Sequence, residues 1–173
     1  MDVRLIFLAE IAGNILVFAL VARWYLWRRL DRLPLKEALV PLLLFHGTRT
    51  VGLTMIVPGV VDPTLPRDFA NPAAYGDLLA AALAMAAVAA LRMNLGMAPI
   101  VAWAFTVEGV ADLFNAIIQG IRIDLTSYEL GAVWFIFTVL VPALLVTHFL
   151  IAAALVRNGR AAAMKRSPSA ELP

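Results

Sequence analysis

Apolar residues along this chain arrive in long unbroken blocks instead of alternating with polar ones, and five blocks are long enough to cross a membrane. A membrane helix needs about 20 mostly apolar residues to traverse ~30 Å of hydrocarbon at 1.5 Å per residue. The qualifying blocks run over about residues 5–27, 38–61, 73–91, 97–119 and 129–156. Their separators carry helix breakers and charge. Arg28 to Pro34 closes the first block, and the stretch from Asp62 to Pro72, with Pro63, Pro66 and Pro72, reads as a turn region. The pattern predicts an all-α fold: a polytopic transmembrane bundle of five spans forming one domain over residues 1–156. Residues 157–173 are short, basic and polar at their end, and are expected to form a disordered cytoplasmic tail.

Composition strengthens this reading. Hydrophobic residues make up 62% and charged residues 15% of the 173, against roughly 45–50% and about 25% in soluble domains. A water-soluble unit of this size has no use for that much apolar surface. Cysteine is absent, which removes thiolate metal sites, covalent haem attachment and thiol catalysis together. The abundance of Arg over Lys, and of Ala, fits a GC-rich bacterial source.

Orientation follows from where the positive charges fall. Arg28, Arg29, Arg32 and Lys36 follow the first block, Arg92 lies between the third and fourth, and Arg157, Arg160, Lys165 and Arg166 follow the fifth. The other side carries only Arg4, Arg67 and Arg122. The alternation holds at each connection, so the N-terminus is expected outside and the C-terminus in the cytoplasm, in a bacterial inner membrane. Trp24, Tyr25 and Trp27 mark the inner interface. Because the basic cluster follows the first apolar block, that block reads as a retained anchor and not as a cleaved signal peptide.

Glu10, His46, Arg49, Asp77, Glu108, Asp112 and His148 all fall well inside the blocks. A charge at the bilayer centre costs about 2.5–3.5 kcal/mol on insertion scales, so each should face the interior and find a partner. Helical rise puts Arg49 and Glu108 both ~16 Å from either surface, and this predicts an Arg49–Glu108 ion pair at the midplane. Glu10 falls ~8 Å and Asp112 ~10 Å below the outer surface, with Asn14 and Asn115 at similar levels and Asp77 near the rim. Glu108, Asp112 and Asn115 share one stripe of their helix. Four carboxyls facing one Arg cannot all be ionised in a low-dielectric site unless a proton, water or cation reaches them. The ligand-binding candidates are therefore Glu10, Asn14, His46, Arg49, Asp77, Glu108, Asp112 and Asn115, lining a polar cavity that opens outward.

His46 and His148 both fall ~12 Å from the cytoplasmic surface. Two imidazoles at one depth on different helices are a candidate axial pair for the iron of a b-type haem, the one cofactor the sequence leaves open. The alternative is hydrogen bonding to Thr48 or Thr147. Gly47, Thr48, Thr50, Gly52 and Thr54 interrupt the second block, and Thr138 precedes Pro142 by one turn, where a hydroxyl can bond the carbonyl that proline leaves free. Eight of the fourteen residues from Leu78 to Leu91 are Ala, which suits a central, closely packed helix.

Nucleotide-binding glycine motifs, HExxH and GxSxG are all missing. The leading reading is a membrane protein that binds or conducts a small molecule, a lipid or a proton or cation through the outward cavity. The second is an intramembrane acid–base enzyme acting on an apolar substrate, the third a bis-His haem protein, and the fourth an accessory subunit with no site of its own. The expected partners are the lipid bilayer, an apolar or amphipathic ligand and further copies of the chain. No nucleic-acid partner is expected.

Overall fold

A computed structural model describes residues 2–166, and the side chains of 162, 165 and 166 lie outside that description. It is all-helical among the described residues, with five helices long and apolar enough to cross a membrane. They are α1 (Val3–Leu30), α2 (Leu35–Ile56), α3 (Arg67–Arg92), α4 (Ala98–Arg122) and α5 (Val133–Ala161), the last continuing helically to Arg166. The Ala-rich α3 lies between α2 and α4, while α5 packs on α1, α2 and α4. Buried Ala74, Ala80, Ala84 and Ala87 let the neighbours of α3 approach closely. The fifth helix thus runs past Val156, and Arg157 anchors this stretch by bonding Asp31 and the Leu30 carbonyl. The remainder of the expected tail, 167–173, lies outside the described residues.

Two apolar clusters fill the two ends of the bundle. The one at the basic end includes Leu39, Leu43, Ala84, Phe105, Ile151 and Leu155. The other includes Met55, Phe69, Ala74, Leu125 and Val133. Fully buried polar side chains occupy the layer between them, and two of the helices that supply it, α2 and α5, depart from regular α geometry.

Helix α2 is α-helical from Leu35 to His46 and then 3₁₀-helical from Gly47 to Ile56. Such runs rarely exceed 3–4 residues. Here the hydroxyls of Thr48 and Thr54 donate to the carbonyls of Phe45 and Val51 at 2.7 and 2.8 Å, and the β-branched and Gly content weakens the α alternative. With about three residues per turn, His46, Arg49, Gly52 and Met55 form one edge, and all four are buried. An α-helix would turn Met55 to the face opposite His46, ~180° away. The tighter helix is therefore what keeps the stripe pointing inward.

Helix α5 opens with a π-helical turn over Ile136–Leu140, just before Pro142. Proline supplies no N–H to the carbonyl of Thr138. Asn14 of α1 fills the gap, its amide donating to Thr138 O at 2.9 Å. The expected use of the Thr138 hydroxyl for this purpose does not occur; that oxygen is buried without a partner.

Helix α3 begins at Arg67, six residues before the expected 73. Pro66 holds the fixed φ suited to the position preceding a helix, and Asp68 favours the first turn. Pro72 forgoes only one hydrogen bond, so 62–66 remain irregular while the rest of the segment read as a turn, 67–72, is helical.

Candidate functional site

At a rise of about 2.0 Å per residue in the 3₁₀ segment, Arg49 is ~14 Å from the Ile56 end of α2. At 1.5 Å per residue, Asp77 is ~15 Å from Arg67 and Asp112 ~15 Å from Arg122. The three residues meet. Arg49 is fully buried; its Nε donates to Asp77 Oδ1 at 2.7 Å, its Nη2 to Asp112 Oδ2, and its Nη1 to the Gly109 carbonyl at 3.3 Å. The guanidinium fork thus ties α2 to two other helices, α3 and α4, as its fixed planar donors favour.

This corrects two expectations. The Arg49–Glu108 pair does not form, because the early start of α3 and the greater rise of the 3₁₀ segment bring Asp77 and Asp112 level with Arg49 instead. Asp77 is consequently a buried clamp residue and not a rim group. Glu108 lies one turn deeper on α4, within electrostatic range of Arg49, Asp77 and Asp112, and its Oε2 is buried with no hydrogen-bond partner.

Glycines make the clamp possible. A Cβ at Gly52 would overlap the Asp77 carboxylate, and one at Gly76 the Asp112 carboxylate. At Gly109 it would lie 2.7 Å from the His148 ring and 2.9 Å from Arg49 Nη1. Backbone atoms of three helices therefore press directly on the charged groups, and the layer is close-packed around Arg49. Gly76 and Gly109 were not singled out from the sequence, and Gly52 was noted there only as an interruption of the second block. A signal existed, since Gly76 precedes Asp77, Gly109 follows Glu108, and Gly52 is one 3₁₀ turn from Arg49.

The histidines face each other on the far side of Gly109. Their ring centroids are 4.2 Å apart at an interplanar angle of 58°, with Phe105 stacked on His148 at 4.9 Å and edge-on to His46 at 4.9 Å. The equal depths of the two residues thus correspond to direct contact. That contact is too close for a porphyrin, which needs its own stacking thickness between two axial rings, so the proposed haem seat at His46 and His148 does not fit. Among the described residues no three His, Cys, Asp or Glu side chains converge as metal ligands.

Thr147 bonds His46 and not its own neighbour. Its hydroxyl is 3.0 Å from His46 Nε2 and 2.9 Å from the Ala143 carbonyl. A hydroxyl has one proton to give. Both groups are satisfied when Thr147 donates to the backbone and accepts from His46 Nε2–H. That tautomer leaves His46 Nδ1 as a bare lone pair. It has no partner, and neither nitrogen of His148 has one.

Three expected site residues stand apart from the cluster. Glu10 Oε2 accepts from Trp134 Nε1 at 2.7 Å, and Asn14 bonds Thr138 as above, so both pin α1 to α5. Asn115 continues the Glu108–Asp112 stripe of α4 but is exposed on the bundle surface. The cluster proper is Arg49, Asp77, Asp112 and Glu108 on one side of Gly109, with His46 and His148 on the other.

No curated protein and no solved structure matches the chain. Residues 6–156, which include every residue of the cluster, match a family described as a domain of unknown function, DUF8737, and the chain belongs to that family.

Proposed function

We propose that this chain is a five-span protein of the bacterial inner membrane, N-terminus outside and C-terminus cytoplasmic, whose buried polar layer takes up a proton on the His46–His148 pair. The observation that carries this reading is the set of three imidazole nitrogens that are buried and unpartnered in a pair of touching rings. Buried polar atoms are nearly always satisfied, and an orphan marks either strain or a role. Here three orphans share one spot. An imidazole lone pair is a proton acceptor, and its basicity lies closest to physiological pH of any side chain.

Charge balance supports the same reading. Asp77, Asp112 and Glu108 face one guanidinium, which leaves the layer short of positive charge in a medium where unmatched charge is expensive. A proton arriving at one ring makes an imidazolium, and the surplus carboxyl charge beyond Gly109 and Arg49 is the counter-charge that the layer offers it. The second ring can then accept a hydrogen bond from the first after a small rotation, sharing the proton between them. The close-packed cluster suits a proton better than a larger ligand.

Proton uptake tests the proposal. Protein in bilayers of an uncharged lipid is titrated in dilute unbuffered suspension, and the protons bound are counted for the wild type and for His148→Leu. Loss of a proton-uptake step in the variant is expected. Identical titrations would overturn the reading.

A further inference from the structure

Away from the polar layer, α1 and α5 are joined at their two ends and separated between them. Near the α1 N-terminus, Glu10 bonds Trp134, Asn14 bonds Thr138, and Phe7 packs edge-on against Trp134 at 5.0 Å. At the basic end, Trp27 stacks on Phe149 at 5.7 Å, and Arg157 ties α5 to Leu30 and Asp31. Between these attachments lies a cleft of about 850 Å³, walled by apolar side chains such as Ile15, Ala19, Leu145 and Val146. Its basic end carries Arg23 and Arg28.

Three features of this cleft point to one kind of occupant. Its walls are aliphatic and aromatic along the helix axis. From Ile15 to Arg28 it runs ~20 Å at helical rise, slightly more than half of a ~30 Å hydrocarbon core. Among the described residues, the only charges lining it are two guanidiniums at one end, both exposed and without a salt-bridge partner. The small side chains of Ala19 and Ala22 widen it, and the π-helical turn over Ala22–Leu26 begins where the cleft meets its charged end.

We infer that the α1–α5 cleft binds one anionic phospholipid, with acyl chain along Ile15–Ala22 and headgroup phosphate on Arg23 and Arg28. Guanidinium pairs phosphate oxygens through parallel N–H donors. A basic pocket between membrane helices on the cytoplasmic side is the arrangement that selects anionic headgroups over zwitterionic ones. The inference rests on the membrane placement proposed above, but not on the histidine chemistry.

Native mass spectrometry of the detergent-purified full chain, titrated with phosphatidylglycerol or phosphatidylcholine, reads the selectivity. A preference for phosphatidylglycerol is expected, reduced about tenfold in the Arg23→Gln/Arg28→Gln variant. Arg32→Gln removes a charge at the same end outside the cleft, and should leave the preference intact. Ala19→Trp, which fills the cleft, should reduce binding of the lipid with both arginines present. Equal retention of the two lipids, or an equal loss in Arg32→Gln, would overturn the inference. A parallel reconstitution separates the two ideas: failure to enter vesicles overturns both, whereas insertion without lipid preference overturns this one alone.

Discussion

The two sides of Gly109 share α2 but draw their other members from different helices, α3 and α4 for the clamp and α5 for His148. They also treat their polar atoms differently. On one side Arg49 donates from all three of its nitrogens, to two carboxylates and a carbonyl, and a single carboxylate oxygen, Glu108 Oε2, is buried without a partner. Glycines on α2, α3 and α4 remove the Cβ atoms that would otherwise keep the backbones away. On the other side two imidazoles touch with three nitrogens unmet. A satisfied buried network fixes a structure, and a half-satisfied one is a liability that a purely structural role would eliminate. The comparison therefore divides the layer into a frame and a working part.

The largest effect is expected where the frame is cut. Arg49→Met leaves Asp77 and Asp112 facing each other in the interior without their cation. Removal of one partner from a buried pair is destabilising by about 3–5 kcal/mol, so the variant should unfold at much lower denaturant than the wild type in detergent micelles. Retention of wild-type stability would mean that the clamp is not the frame. His148→Leu should behave in the opposite sense. It removes two unsatisfied nitrogens from an apolar neighbourhood, and stability should be unchanged or raised, within about 1 kcal/mol. A loss as large as that of Arg49→Met would show that the histidines belong to the frame, and the contrast would collapse.

Much of this architecture can be read from the chain, because block length and charge placement are one-dimensional properties. The five apolar blocks correspond to the five long helices, and the equal depth of His46 and His148 was legible, although whether the two rings face each other was not. What escaped depends on local geometry. A uniform rise of 1.5 Å per residue paired Arg49 with Glu108, whereas the 3₁₀ segment from Gly47 to Ile56 stretches α2 and delivers Arg49 to Asp77 and Asp112. The clue was the period of three linking His46, Arg49, Gly52 and Met55, which no α-helix could keep on one side. Pro66 and Pro72 looked like breakers, but Pro66 starts a helix and Pro72 is tolerated near its beginning. Glu10 and Asn14 were matched to the cluster by depth alone. Which neighbour a side chain faces depends on helix rotation and on the carbonyl that Pro142 frees, and depth reports neither.

The central claim is that the imidazole pair, and not the carboxyl clamp, is where the proton resides. Nitrogen-15 NMR of the histidine-labelled protein in bilayers observes those atoms directly, since protonated and bare ring nitrogens have well-separated shifts. On acidification the account predicts that His46 and His148 change protonation together, with one proton shared between them. It also predicts that Glu108→Gln, which removes part of the balancing charge, moves that titration. Two rings that titrate independently, or that keep one protonation state across the range in which the fold persists, would contradict it.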